Sequence, residues 1–234
     1  MKPLTHYIPN TITCLNLLSG SVACILSFSA REPMAWGLSG YQWAFIAIGL
    51  AALFDFLDGA MARMLHAYSS IGKELDSLSD LVSFGLAPAL LMYNFMMVHT
   101  GGSPLSFVAL WIAVMAALRL AKFNVDTRQT TSFIGLPVPA NALFWIGAVA
   151  WIAAHGYPGD IAMTILILLF PMLMVCNLPL FSLKFANFDW RENFRRYVLI
   201  AACILFLVTE GVSGLAWTIV FYIVLAVFTA RRDR

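Results

Sequence analysis

Charge is scarce in this sequence. Only 11% of its 234 residues are charged, against about 25% in an ordinary soluble domain. Apolar residues make up 61% and the mean hydropathy is +0.84, so a water-soluble domain is excluded. A net charge of +2, with no helix rich in Lys and Arg, excludes a basic nucleic-acid binder, and the long apolar runs exclude a disordered chain. Cysteine is scarce too. Cys14, Cys24, Cys176 and Cys203 each sit in an apolar run and form no C-x-x-C pair, so they read as small hydrophobes rather than a disulfide framework. His6, His66, His99 and His155 are scattered and make no zinc pattern. A multi-span membrane protein remains.

About 20 apolar residues cross a bilayer. Eight segments fit: 8–29, 41–63, 79–99, 104–122, 138–155, 160–181, 196–211 and 213–230. The first is read as a span rather than a cleaved signal, because no small-residue cleavage site follows it. Gly211, Ser213 and Gly214 place a tight turn between the last two. With the N-terminus in the cytoplasm, 13 of the 14 Lys and Arg fall on the cytoplasmic side and only Arg31 falls outside. The expectation is a single all-α polytopic domain over residues 1–234, with about eight transmembrane helices, both termini cytoplasmic, in a prokaryotic inner membrane.

Four carboxylates break the apolar pattern. Asp55 and Asp58 lie late in the second span, and Asp76 and Asp80 lie where the third begins. A charge deep in a span costs roughly 2.5–3.5 kcal/mol on insertion scales, so such residues are functional candidates. Asp55, Asp58, Gly59 and Ala62 share one helical face, as do Gly72, Asp76 and Asp80. The short connection 64–71 makes the two helices antiparallel neighbours, which puts both acidic faces at one membrane level. The small residues Gly59, Ala62 and Gly72 leave room for a ligand or a close helix. Arg63 and Lys73 are too few to neutralise these acids. Oxygen-only ligands suit Mg²⁺ or Mn²⁺, and four carboxylates could hold two ions about 3.5–4 Å apart, an arrangement used in phosphoryl transfer. A buried charge network, a transporter and a non-catalytic scaffold are the alternatives; clustering of the acids at one interface argues against transport.

The segment reads Asp55-Phe-Leu-Asp58-Gly59-Ala-Met-Ala62-Arg63, eight residues, then Gly72-Lys-Glu-Leu-Asp76-Ser-Leu-Ser-Asp80. It resembles the signature of the CDP-alcohol phosphotransferase family, D-x2-D-G-x2-A-R-x8-G-x3-D-x3-D, at all eight specified positions. The resemblance implies the fold of that family, a homodimer, and displacement of CMP from a CDP-linked lipid by a hydroxyl group. It implies that Asp55, Asp58, Asp76 and Asp80 ligate metal and that Asp80 is the general base. It also implies that Asn10, Thr13, Asp58, Gly59, Arg63, Ser69 and Gly72 contact CDP-diacylglycerol.

Further stretches resemble the phosphatidylserine synthase branch of that family. These are Ile8-Pro-Asn10-Thr-Ile-Thr13-Cys-Leu-Asn16, then Leu118-Arg119-Leu-Ala-Lys122-Phe-Asn124, Phe133-Ile-Gly135-Leu-Pro137-Val-Pro139-Ala, and Leu173-Met-Val-Cys-Asn-Leu-Pro-Leu-Phe-Ser182-Leu-Lys184. This implies CDP-diacylglycerol and L-serine as substrates and phosphatidylserine and CMP as products. Arg119, Lys122 and Asn124 are the candidate serine contacts. Glycerol 3-phosphate or inositol phosphate is the alternative acceptor. Each stretch also has a structural reading: Asn10, Thr13 and Asn16 as caps or interhelical contacts, 135–139 as a rigid loop, and Arg119, Lys122 and Arg128 as topology anchors.

Overall fold

The computed structural model describes residues 7–125, 133–181 and 189–232. Lys2, Arg128, Lys184 and Arg234 of the charge map lie outside them. The described residues form α1 (Tyr7–Ser27), α2 (Gly40–Met64), α3 (Ser70–Asp80), α4 (Ala87–Thr100), α5 (Trp111–Val125), α6 (Val138–His155), α7 (Asp160–Leu169), α8 (Trp190–Glu210) and α9 (Gly214–Arg232). One small addition to the all-α expectation is a two-residue antiparallel ladder, β1 (Phe133–Ile134) with β2 (Pro179–Leu180).

Among the described residues, six helical stretches are long and apolar enough to cross a membrane: Tyr7–Ser27, Gly40–Met64, Ser70–Thr100, Pro104–Val125, Val138–His155 and Asn193–Thr229. The last holds α8 and α9, which pack against each other and are parted at Gly211–Ser213, as the Gly and Ser residues suggested. The expected 160–181 span is shorter, a helical stretch over Asp160–Met174. Pro171 has no N–H for the α-helical ladder, the coil tightens to a 3₁₀ turn over Phe170–Met174, and Pro179 then enters β2. Large apolar side chains stand exposed along these helices, Ile25, Phe56, Val208 and Phe228 among them. Water would penalise that surface and lipid does not, so the chain is a multi-pass membrane protein.

The chain divides into two compact units, residues 1–120 and 121–234. In the first, Ser39 and Gln42 form a capping box at the start of α2, and the Ser39 N–H donates to Gln42 Oε1 at 2.9 Å. Ser69 caps α3, accepting from the Gly72 N–H at 2.9 Å. α3 continues into α4 through a π-helical turn over Leu81–Leu86. That turn packs on α1 closely enough that a Cβ at Gly20 would lie 2.2 Å from Ser83 Oγ. Phe84, Leu91, Met92, Phe95 and Met96 fill the core beside Ile48 of α2 and Ile112 of α5. In the second unit, α6 and α9 touch so closely that a Cβ at Gly147 would meet the Ala216 backbone nitrogen at 2.3 Å. Trp145 is fully buried there and donates its indole N–H to Asn141 Oδ1 at 3.2 Å.

Candidate active site

The start of α1, the end of α2 and the start of α3 meet around a cavity of about 220 Å³. Their meeting follows from the hairpin order: α2 runs back alongside α1, and the tight Leu65–Ser69 connection returns the chain at the same level. Asn10 and Thr13 come from α1, Asp58, Gly59 and Ala62 from α2, and Ser69, Gly72 and Asp76 from the third segment. Six of the seven residues expected to hold the CDP-lipid therefore line one cavity. The seventh, Arg63, is adjacent: beyond the helix's own backbone, its Nη1 is the only atom among the described residues within 4 Å of a Cβ built on Gly59, at 3.8 Å. No neighbouring element among the described residues thus requires glycine at 59, and the missing side chain leaves open space inside the cavity. Gly72 is different, because a Cβ there would lie 2.9 Å from both Asn10 Oδ1 and Ser69 Oγ.

Beside the cavity the carboxylates of Asp55, Asp76 and Asp80 converge, with one oxygen from each lying within 4.8 Å of the others. Asp58 lies one turn from Asp55 on the same helix and is buried, and its Oδ2 has no hydrogen-bond partner among the described residues. Three converging carboxylate oxygens and an orphaned buried fourth are a hard-oxygen donor set that could hold a divalent cation. Asp80 is further distinguished by Asn16, whose Nδ2 donates to Asp80 Oδ1 at 3.2 Å. The helix faces read from sequence spacing explain the convergence, since both acidic stripes turn toward the same gap.

Arg119, Lys122 and Asn124 do not line the cavity. Arg119 is buried, 3% exposed, near the end of α5. Lys122 donates to the Val175 carbonyl at 3.0 Å and to Asn177 Oδ1 at 3.4 Å. The 133–139 and 173–180 stretches also lock together: Gly135 N donates to Leu178 O and Leu136 N to Leu173 O, both at 2.8 Å. Gly135 has φ +82°, and a Cβ there would lie 2.5 Å from Met174 O, so this loop requires glycine.

The sequence reading did not single out Pro9, Ala67, Tyr68 or Lys73 as cavity residues. Their only signal was adjacency, beside Asn10, within the eight-residue gap of the signature, or just after Gly72. The sequence marks Asn16 as a cap or an interhelical contact, and nothing local in it names Asp80 as the partner.

Comparison with known proteins follows the same residues. Residues 6–183 match the model of the CDP-alcohol phosphatidyltransferase family. The chain is 35% identical over 172 residues to the CDP-diacylglycerol–serine O-phosphatidyltransferase of Methanocaldococcus jannaschii, covering 73% of this chain and 72% of that protein. To the Bacillus subtilis protein of the same name it is 36% identical over 140 residues, 57% of this chain and 70% of the relative. To the Mycobacterium leprae protein of that name the identity is 36% over 151 residues, 61% of this chain but 46% of the relative, about half its length. The matched region contains all three helix ends that build the cavity and all four acids, and the chain belongs to the CDP-alcohol phosphatidyltransferase family.

Proposed function

We propose that this protein transfers the phosphatidyl group of CDP-diacylglycerol to the hydroxyl of L-serine, giving phosphatidylserine and CMP. The observation that carries the reading is the cavity itself, where Asn10, Thr13, Asp58, Gly59, Ser69 and Gly72 stand together beside the acidic cluster. The names of the relatives support serine as acceptor. Asp55, Asp58, Asp76 and Asp80 would hold Mg²⁺ or Mn²⁺, as two ions in the full reading, and bound cations supply charge stabilisation to the diphosphate and to the CMP leaving group.

The chain's own residues do the rest. The open space at Gly59 admits the CDP group, and the Arg63 guanidinium can grip phosphate oxygens bidentately. The serine hydroxyl oxygen bonds to the lipid-side phosphorus, the bond from that phosphorus to the CMP oxygen breaks, and Asp80 accepts the hydroxyl proton. Arg119, buried near the end of α5 and outside the cavity lining, is assigned the serine carboxylate on the resemblance of its stretch to the serine branch. In the same reading the chain makes eight passes as one catalytic domain, works as a homodimer, and keeps both termini and the cavity on the cytoplasmic side of a prokaryotic inner membrane.

The test is CMP release from CDP-diacylglycerol in detergent, with Mg²⁺ or Mn²⁺ and a panel of acceptors. L-serine should give turnover that chelation abolishes. Turnover with glycerol 3-phosphate or inositol phosphate in place of serine would move the acceptor assignment, and no release with any alcohol would sink the enzymatic reading.

A further inference from the structure

Asn16 is fully buried on α1, three helical positions beyond the cavity residue Thr13. Its Nδ2 donates to Asp80 Oδ1 at 3.2 Å. The other end of the amide, Oδ1, is buried with no hydrogen-bond partner among the described residues. A buried acceptor without a donor is a cost, and a leucine of similar size would fill the position without it. Packing alone therefore does not account for asparagine here.

The backbone around this amide is tied down on both sides of Asp80. Ser79 Oγ donates to Thr13 O at 3.2 Å, and Ser83 Oγ donates to Asn16 O at 3.0 Å. Ser83 lies in the π-turn that begins directly after Asp80, and it is the residue against which Gly20 closes. A π-turn adds a residue to the helical repeat and turns the following side chains onto new faces, a feature common at functional sites. Here Ser79 and Ser83 both anchor on α1 while Asp80, between them, reaches the Asn16 amide.

We propose that Asn16 is a positioning residue for the reaction, holding Oδ1 of Asp80 so that the carboxylate's second oxygen is presented to the acceptor hydroxyl. The proposal rests on the reading of Asp80 as base. The amide acts through Asp80 and touches no substrate. Its loss lets the carboxylate rotate, and misplacement by about 1 Å can cost a factor of about 100 in rate.

The experiment is steady-state kinetics on two variants of the full chain, with serine and CDP-diacylglycerol each varied at saturating levels of the other. Asn16→Leu removes the donor and keeps the volume; kcat should fall about 10- to 100-fold, with both KM values within about threefold of wild type. Asn16→Asp keeps shape and polarity and replaces the donor with a second carboxylate facing Asp80; its kcat should fall at least as far, and this variant carries the test should Asn16→Leu not fold. An Asn16→Asp enzyme with more than about half the wild-type kcat, or a loss confined to KM, overturns the proposal. Asp80→Asn measured in parallel separates the two readings: activity there sinks Asp80 as base, whereas an inactive Asp80→Asn beside a fully active Asn16→Asp sinks only the role of Asn16.

Discussion

Asp80 sits among carboxylates but is held differently from the others, by a neutral amide from α1. General-base catalysis contributes about 10²–10⁴-fold. Asp80→Asn should therefore lower kcat by at least about 100-fold while CDP-diacylglycerol still binds, because Arg63, the cavity wall and the three other acids remain; kinetics paired with a lipid-binding measurement checks this. Two glycines make a second contrast at this scale. Among the described residues a methyl at Gly59 meets only Arg63 Nη1 outside its own helix backbone, at 3.8 Å, and alanine also favours a helix interior by about 1 kcal/mol over glycine. Gly59→Ala should leave Tm unchanged or raised and increase KM for the CDP-lipid by filling ligand space. A methyl at Gly20 meets Ser83 Oγ at 2.2 Å and Ser83 Cα at 2.6 Å, and the second of these is backbone. Gly20→Ala should cost about 1–3 kcal/mol of stability through overpacking, read as a lower Tm in detergent.

Among elements, the β1–β2 ladder shows how a motif that marks a branch of the family can have a structural job. Gly135 and Leu136 hydrogen-bond to Leu178 and Leu173, and Lys122 reaches Val175 and Asn177 in the same stretch. Gly135→Ala places a methyl 2.5 Å from a carbonyl oxygen at φ +82°. Strain of that kind costs about 1–3 kcal/mol before the clash is counted. The expected outcome is a drop in Tm of the detergent-solubilised protein, larger than that from Pro139→Ala, a half-buried position with helical backbone at the start of α6. An unchanged Tm would show that the 133–180 connection does not hold this unit together.

At the scale of the molecule, the two ends of the first unit differ in chemistry. One end carries the cavity and acids. At the other, the Arg31 guanidinium meets His99 Nε2 where the α1–α2 connection approaches the end of α4. Arg31 is the one cation that the charge map leaves outside, and it lies at the end away from the acids, as the proposed cytoplasmic placement of the cavity requires. Single cysteines at Ser103 and Pro158 in an otherwise cysteine-free protein should react with an impermeant maleimide from outside the cell, and one at Arg191 only after the membrane is opened. Ser103 labelled only from the cytoplasm would overturn the eight-pass orientation.

The sequence by itself determined a great deal here, because a membrane makes its patterns blunt. Length and apolarity alone delimit a span, so the ends of α1, α2 and α6 fall within a few residues of expectation. Helical periodicity placed Asp55 with Asp58 and Asp76 with Asp80, and the short connection brought those faces together. The resemblance did the same for Gly59 and Gly72 within the signature, for Ser69 in its gap, and for Asn10 and Thr13 in the separate 8–16 stretch. What depended on contacts far apart in the chain was decided only by the tertiary structure. The Asn16 amide on the Asp80 carboxylate and the ties of Lys122 and Gly135 to residues 173–178 all join positions more than 35 residues apart. No local pattern encodes them, since each depends on which face of one helix meets which face of another. The shortening of 160–181 has a local cause in Pro171, but hydropathy does not register it: a proline costs the helix a hydrogen bond without making the segment less apolar.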